Sequence, residues 1–170
     1  MLKEVNLDDL NFDFRKKIRD EWVLITAKKP DNSINTLTAS WGEVGNLWNL
    51  PIYTCFIRPD RYTHEFISSS GYYSVCFFDN KYKEQLKYCG SHTGRNENKI
   101  AKMGFTVIND DVAPFFKEAK LVLLCRIIYK DDFVKEGFVD ENIYKNVYNI
   151  KHVKPHTRYI GEIVKVLESE

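Results

Sequence analysis

The sequence lacks the features of a secreted or membrane-spanning protein. No apolar run reaches the ~18 residues that a transmembrane helix requires, and no signal-like apolar segment follows Met1. The cysteines at 55, 76, 89 and 125 form no CxxC pair. Free thiols buried in a reducing cytoplasm are therefore expected. We expect a cytoplasmic protein without a membrane partner.

An excess of one charge sign is also missing. The sequence has 25 Lys and Arg residues and 24 Asp and Glu residues, which gives a formal net charge of +1. Proteins that bind nucleic acid usually present a broad basic surface to the phosphates. The charge balance therefore argues against nucleic acid as a partner.

The familiar nucleotide and metal motifs are absent as well. No GxGxxG or GxxxxGK[ST] occurs, and GSHTGR at 90–95 has the wrong spacing for either. HEF at 64–66 has no second histidine four residues after His64, and Pro155 would break a helix that aligned His152 with His156. Neither a Rossmann or P-loop site nor a metal site is expected.

Short runs of β-branched and aromatic residues are what the chain does contain. Segments 22–29 and 35–41 flank the turn sequence KPDNS and predict a β-hairpin. Further apolar runs at 52–57, 72–78, 120–129 and 158–167 bring the total to about six strands.

Three shorter segments have helical patterns. YTHEFISSSG ends near Gly71, and NENKIAKMG stops at Gly104. NKYKEQLKYCG has Asn80 as its N-cap and Gly90 beyond its end. Because no βαβ rhythm repeats, we expect a mainly β protein with inserted helices, a β-barrel, as a single domain over residues 1–170.

The stretch NTLTASWGEVGNLWNLP, residues 35–51, is unusual for a strand. Hydroxyl residues at 36, 38 and 40 alternate with Leu37, Ala39 and Trp41, and Trp48 follows in a glycine-containing segment. This alternation is compatible with a solvent-facing strand or with a strand that holds a polar ligand. Both tryptophans could equally belong to a core or a subunit interface.

Two cationic, hydroxyl-bearing stretches each adjoin a predicted helix start. In RPDRYT at 58–63, a helix beginning near Tyr62 would combine its free N–H groups with a threonine hydroxyl and an arginine, which suits a phosphate. In SHTGRNENK at 91–99, Gly94 allows unusual backbone angles beside several donors. The alternative for each is a solvated, charged loop.

These motifs, taken in order, resemble a known family. N-x-x-T-A-S-W, L-W-N-x-P, R-P-x-R-Y-T and S-x-T-G-R-x-x-x-K are similar to the motifs of the flavin reductase-like, FMN-binding split-barrel family, closest to its flavoredoxin-like branch. The likeness runs from about residue 20 to YIGEIVKV near the C-terminus. It implies a split β-barrel, a homodimer and noncovalent FMN near the subunit interface.

The resemblance also implies a set of flavin-binding residues. An isoalloxazine ring has a polar edge, which small residues let backbone N–H groups approach, and an apolar surface that an indole can cover. His156 and Tyr159, in HTRYIGE, are expected to reach the flavin from their own or from the second subunit; the alternative for His156 is a structural histidine. The ring strand is implied at Asn35, Thr38, Ala39, Ser40 and Trp41, and the phosphate loops at Arg58, Arg61, Tyr62 and Thr63, with Lys99 as a further charge. The second cationic loop adds the candidates Ser91, His92, Thr93, Gly94 and Arg95.

Two functions remain open. In one, NAD(P)H reduces bound FMN, which passes electrons to a free flavin or a redox protein; no catalytic side chain is required, because the cofactor carries the chemistry. In the other, the protein is an FMN electron carrier without nicotinamide activity. The loop expected at 42–49 would either border an open flavin face, with Trp48 as a platform, or close that face.

Overall fold

The computed structural model describes residues 2–169, which form an antiparallel sheet with helices packed on it. Five α-helices are present: α1 (Phe14–Lys16), α2 (Tyr62–Ser70), α3 (Lys83–Ser91), α4 (Lys99–Met103) and α5 (Glu141–Tyr144). π-Helical turns at Lys17–Glu21 and Lys145–Asn149 extend α1 and α5. The strands are β1 (Leu2–Glu4), β2 (Val23–Lys28), β3 (Ile34–Ala39), β4 (Gly42–Leu47), β5 (Leu50–Ile57), β6 (Tyr72–Phe77), β7 (Val107–Ile108), β8 (Phe115–Phe116), β9 (Leu121–Asp132) and β10 (Thr157–Ser169).

The main sheet is a curled barrel wall that does not close. Its strand order is β3-β2-β6-β9-β10-β5-β4, with β1 paired to β10, and each neighbouring pair is antiparallel. The two ends of this path, β3 and β4, are consecutive in the chain and are joined only by Ser40 and Trp41. The expected split β-barrel is confirmed, and Ser40 and Trp41 mark its seam.

Strand β2 is buried on both faces because two apolar cores lie on opposite sides of the sheet. Val23, Ile25 and Ala27 face the barrel interior, together with residues such as Tyr53. Leu24 faces the outer core beneath α3 and α4. The continuous apolar run of this strand follows from that double burial.

The β2–β3 hairpin is confirmed, and its hydroxyl face does not point into solvent. Thr36 is fully buried, and its hydroxyl lies 2.8 Å from that of Thr26 on the paired strand. The Thr38 hydroxyl donates to the Leu86 carbonyl oxygen in α3. The Thr36 hydroxyl therefore ties β3 to β2 and the Thr38 hydroxyl ties it to α3, while Ser40 at the seam is exposed.

Residues 42–49 are not the loop that the sequence suggested. Gly42–Leu47 forms strand β4, paired with β5, and Trp48 and Asn49 make a tight hairpin turn with φ of 53° and 59°. This strand was not predicted because it contains two glycines and its alternation of apolar and polar residues is short. As a result, Trp48 sits at the far end of a hairpin and its ring contacts Tyr129.

The other helix and strand predictions are confirmed with shifted bounds. Gly71 and Gly104 follow α2 and α4 in the left-handed conformation. Gly90, however, lies within α3, and Asn80 begins a 3-10 turn that precedes it. Helices α1 and α5 and the short strands β1, β7 and β8 were not predicted.

All four cysteines are buried free thiols, as expected, and burial raises the pKa of Cys76 to about 12. Within residues 2–169, no helix combines the length and the apolar character needed to cross a membrane.

Candidate functional site

Two adjoining cavities lie beside the seam of the barrel, and they share Leu37, Thr38 and Arg61. We call the first the cationic cavity; its volume is about 110 Å³. We call the second the indole cavity; its volume is about 210 Å³. The cationic cavity is lined by Asn35, Leu37, Thr38, Asp60, Arg61, Tyr62, Thr63, Cys89, Gly90, His92, Thr93, Gly94 and Lys99. The indole cavity is lined by Leu37, Thr38, Ala39, Ser40, Trp41, Phe56, Ile57, Arg58, Arg61, Val147, Tyr148, Lys151, Val153 and His156.

The N-terminus of α2 forms one wall of the cationic cavity. Pro59 lies in the turn before the helix, Arg61 is its N-cap residue, and no side chain caps the helix. The N–H groups of Tyr62 and Thr63 belong to the first turn, where an α-helix offers no acceptor of its own. Together with the helix dipole, they make this wall attractive to an anion.

Lys99 supplies a buried positive charge to the same cavity. The residue is 4% exposed, and its ammonium donates to the carbonyl oxygens of Cys89 at 3.1 Å and His92 at 3.3 Å. Burial, and to a smaller extent the nearby Arg61, lowers the pKa of Lys99. Among residues 2–169 no carboxylate forms an ion pair with it. Asp60, the acidic residue on the cavity wall, is bonded to Arg58.

A hydrogen bond and a close packing contact, both made by Asn35, join β3 to α2 and to the 91–99 loop. The Asn35 amide donates to the Thr63 hydroxyl oxygen at 2.9 Å, which leaves the hydroxyl hydrogen of Thr63 available to an acceptor in the cavity. Gly94 packs directly on Asn35, since a Cβ at this position would lie 2.2 Å from the amide oxygen. Glycine is therefore required here for the loop to reach the strand.

The indole cavity is lined by the seam residues and by residues of the segment after α5. Trp41 is 49% exposed, and its ring lies 5.0 Å from that of His156, centroid to centroid. The Tyr148 hydroxyl is 2.8 Å from Nδ1 of His156. Burial, and next the positive charge of Arg58, lower the pKa of His156 to about 4, so the imidazole is neutral near pH 7.

Most of the predicted site residues come together around these cavities. Three do not. Tyr159 is fully buried in the barrel interior, where its hydroxyl bonds to Ser68, because the alternation of β10 points it inward. Arg95 pairs with Glu65 and stacks on the outer face of Tyr62. The Ser91 hydroxyl bonds back to its own helix, to the carbonyl oxygens of Lys87 and Tyr88.

The sequence did not indicate the segment 147–153, which contributes Val147, Tyr148, Lys151 and Val153 to the indole cavity. Its residues are mixed in polarity and lie more than a hundred positions after the ring strand, so no local pattern relates the two. Phe56 and Ile57 were predicted as strand residues, and the structure adds that they line this cavity.

The fold and the two cavities can now be compared with known domain families. Residues 16–170 match the flavin reductase like domain. The chain therefore belongs to the flavin reductase-like family. No curated protein matches the sequence.

Solved structures share the fold at low sequence identity. The chain is similar to a flavoredoxin from Methanosarcina acetivorans, with 23% identity, 88% of this chain and 68% of that chain covered, and a TM-score of 0.70. The flavoredoxin of Desulfovibrio vulgaris (Miyazaki F) has 20% identity, 99% and 78% coverage, and a TM-score of 0.70. An FMN-binding domain of a flavin reductases-like enzyme from Shewanella baltica OS155 has 19% identity, 99% and 77% coverage, and a TM-score of 0.68.

Proposed function

We propose that the protein is an FMN-binding oxidoreductase, with noncovalent FMN reduced by NAD(P)H and reoxidised by a flavin or a redox protein. The observation that carries this proposal is Lys99, a buried ammonium that contacts backbone carbonyl oxygens and faces a cavity with unpaired donors. Such a charge is costly unless an anion accompanies it. A phosphate dianion would supply that partner.

The residues of the cationic cavity fit a phosphate. Lys99 and Arg61 provide charge, the Thr63 hydroxyl provides a donor, and the first turn of α2 provides backbone N–H groups. His92 and Thr93 also line this cavity. The lining holds the cations Lys99 and Arg61, while its one carboxylate, Asp60, is bonded to Arg58, and this balance favours an anionic group over a cation.

The adjoining indole cavity fits a flat ring with a polar edge. Ala39 and Ser40 are small enough for their backbone to approach such an edge, and Trp41 covers an apolar surface. Arg58, Arg61 and Lys151 place positive charge around this cavity. When bound, FMN supplies the acceptance and release of electrons. The protein's own residues hold the ring, restrict water and favour negative charge on it.

A carrier without nicotinamide activity is the second candidate, and one observation favours it. Val147, Tyr148, Lys151 and Val153 line the indole cavity together with the β3 residues Leu37, Thr38 and Ala39, and a ring bound between these two groups would have one face covered. Hydride transfer requires a nicotinamide to lie flat on an open ring face, with the reacting atoms about 3–3.5 Å apart. A covered face would leave only the ring edge for electron exchange.

The first experiment is the visible spectrum of the purified protein after incubation with FMN and gel filtration. The proposal expects a yellow protein whose chromophore is released by acid as FMN. A protein that stays colourless would overturn it. Stopped-flow bleaching by NADH and NADPH without oxygen then separates the candidates: saturable bleaching supports the reductase, and a flavin that is reduced by dithionite but by neither nucleotide supports the carrier.

A further inference from the structure

The imidazole of His156 is hydrogen-bonded to Tyr148, a residue that the resemblance did not indicate. Tyr148 is 4% exposed and lies in the π-helical turn Lys145–Asn149. Its ring packs against those of Phe138 and Tyr144, with centroid distances of 5.7 and 6.1 Å. This packing fixes the hydroxyl 2.8 Å from Nδ1 of His156.

The direction of this hydrogen bond follows from the groups available. Burial raises the pKa of Tyr148, so the phenol keeps its proton. The hydroxyl lies 2.8 Å from Nδ1 of His156, and the backbone N–H of His156 also donates to the phenol oxygen. Because that oxygen already accepts from a backbone N–H, its hydrogen is assigned to Nδ1, with the phenol as donor and Nδ1 as acceptor. A neutral imidazole with Nδ1 as acceptor carries its proton on Nε2.

The charges around His156 preserve this neutral form. Arg58, Asp60 and Arg61 approach from the turn between β5 and α2, and Lys151 lines the same cavity. Because the cations outnumber the single carboxylate, protonation is opposed. Nε2 has no hydrogen-bond partner among the described residues, and His156 lines the indole cavity.

We propose that Tyr148 is a positioning residue that locks His156 as the Nε2–H tautomer, so that the indole cavity offers a neutral N–H donor to a carbonyl oxygen or ring nitrogen of its ligand. The ligand's identity as a flavin rests on the proposed function, but the tautomer does not. The donor stays in place throughout the neutral pH range and gives up no proton.

The tautomer can be read in the ligand-free protein by NMR of ¹⁵N-labelled histidine. Wild type is expected to show His156 with a protonated Nε2 and an unprotonated Nδ1 at pH 7. Tyr148→Phe removes the phenol donor and should give a mixture of tautomers, together with a higher pKa of His156. Tyr144→Phe is the matched control, since it removes a neighbouring hydroxyl that does not contact His156.

The same variants test the consequence for the ligand. Tyr148→Phe should weaken FMN binding about three- to tenfold, as expected for one misaligned hydrogen bond, and Tyr144→Phe should not. His156→Gln keeps an N–H donor near the Nε2 position without needing the phenol. In that background, Tyr148→Phe should have no further effect on FMN affinity.

The outcomes separate the two proposals. A protonated Nδ1 in the wild-type protein, or the same tautomer in Tyr148→Phe, would refute the positioning role whether or not FMN binds. A protein that shows the expected tautomer and takes up no FMN would overturn the proposed function alone. If Tyr148→Phe does not fold, the wild-type tautomer still decides the question.

Discussion

Lys99 is the residue whose substitution tests the proposed phosphate site most directly. Replacing it with Met removes the charge and keeps an unbranched chain that can fill the same space. FMN affinity should fall about ten- to a hundredfold, because a charge-assisted contact to phosphate is lost. Riboflavin affinity, measured by the same fluorescence titration, should be unchanged, since riboflavin has no phosphate.

Lys102→Met is the matched control, because Lys102 lies on the same helix and pairs with Glu97 outside the cavity. It should leave FMN affinity unaltered. Equal weakening of FMN and riboflavin in Lys99→Met would show instead that Lys99 acts through the fold.

His156 should make stability depend on pH in a defined window. Its pKa is lowered from the ordinary 6.5 to about 4 in the folded protein. Between these values the unfolded chain binds more protons at this residue, so its contribution to stability is complete above pH 6.5 and is lost as pH falls toward 4. His156→Gln should flatten this part of the curve of urea midpoint against pH. An unchanged slope would mean that other groups cause the acid sensitivity.

At the scale of elements, the 91–99 loop depends on close contact with β3. Gly94→Ala would push a methyl group into the Asn35 side chain and separate Asn35 from Thr63. We expect a loss of about 1–3 kcal/mol in the free energy of unfolding, together with weaker FMN binding. Gly45→Ala, where a Cβ meets nothing within 4 Å, is the control and should change both quantities little. Chemical denaturation and flavin titration measure the two effects.

The two tryptophans that follow β3 should differ sharply in importance. Trp41 lines the indole cavity, whereas Trp48 lies in the β4–β5 turn against Tyr129 and lines neither cavity. Trp41→Ala should weaken both FMN and riboflavin, because it removes a ring contact and not a phosphate contact. Trp48→Ala should affect neither. Comparable losses in the two variants would place Trp48 near the flavin, contrary to this structure.

The sequence predicted the elements that carry strong local signals and missed those that depend on distant contacts. The β2–β3 hairpin combines alternation with turn chemistry, and the start of α2 follows a proline, so both were found. Strand β4 contains two glycines and was read as a loop. Tyr159 was assigned to the flavin because HTRYIGE resembles the family, but β10 begins at Thr157 and its alternation turns Tyr159 inward.

For the whole molecule, we expect a homodimer. The resemblance implies a homodimer with the cofactor near a two-fold interface, and an isologous dimer is the commonest closed oligomer. Light scattering of FMN-loaded protein should give twice the chain mass of 20.0 kDa. A monomer mass at micromolar concentration would contradict this expectation.

The place of β10 in the sheet has a consequence for synthesis on the ribosome. β10 is the last of the described strands in chain order, yet it lies between β9 and β5 and also pairs with β1. The β3-β2-β6-β9 half can assemble while the chain is still being made. The β4–β5 hairpin, in contrast, must wait with one edge unpaired until Thr157–Ser169 emerges. An unpaired strand edge of this kind exposes a nascent chain to aggregation and to chaperone binding.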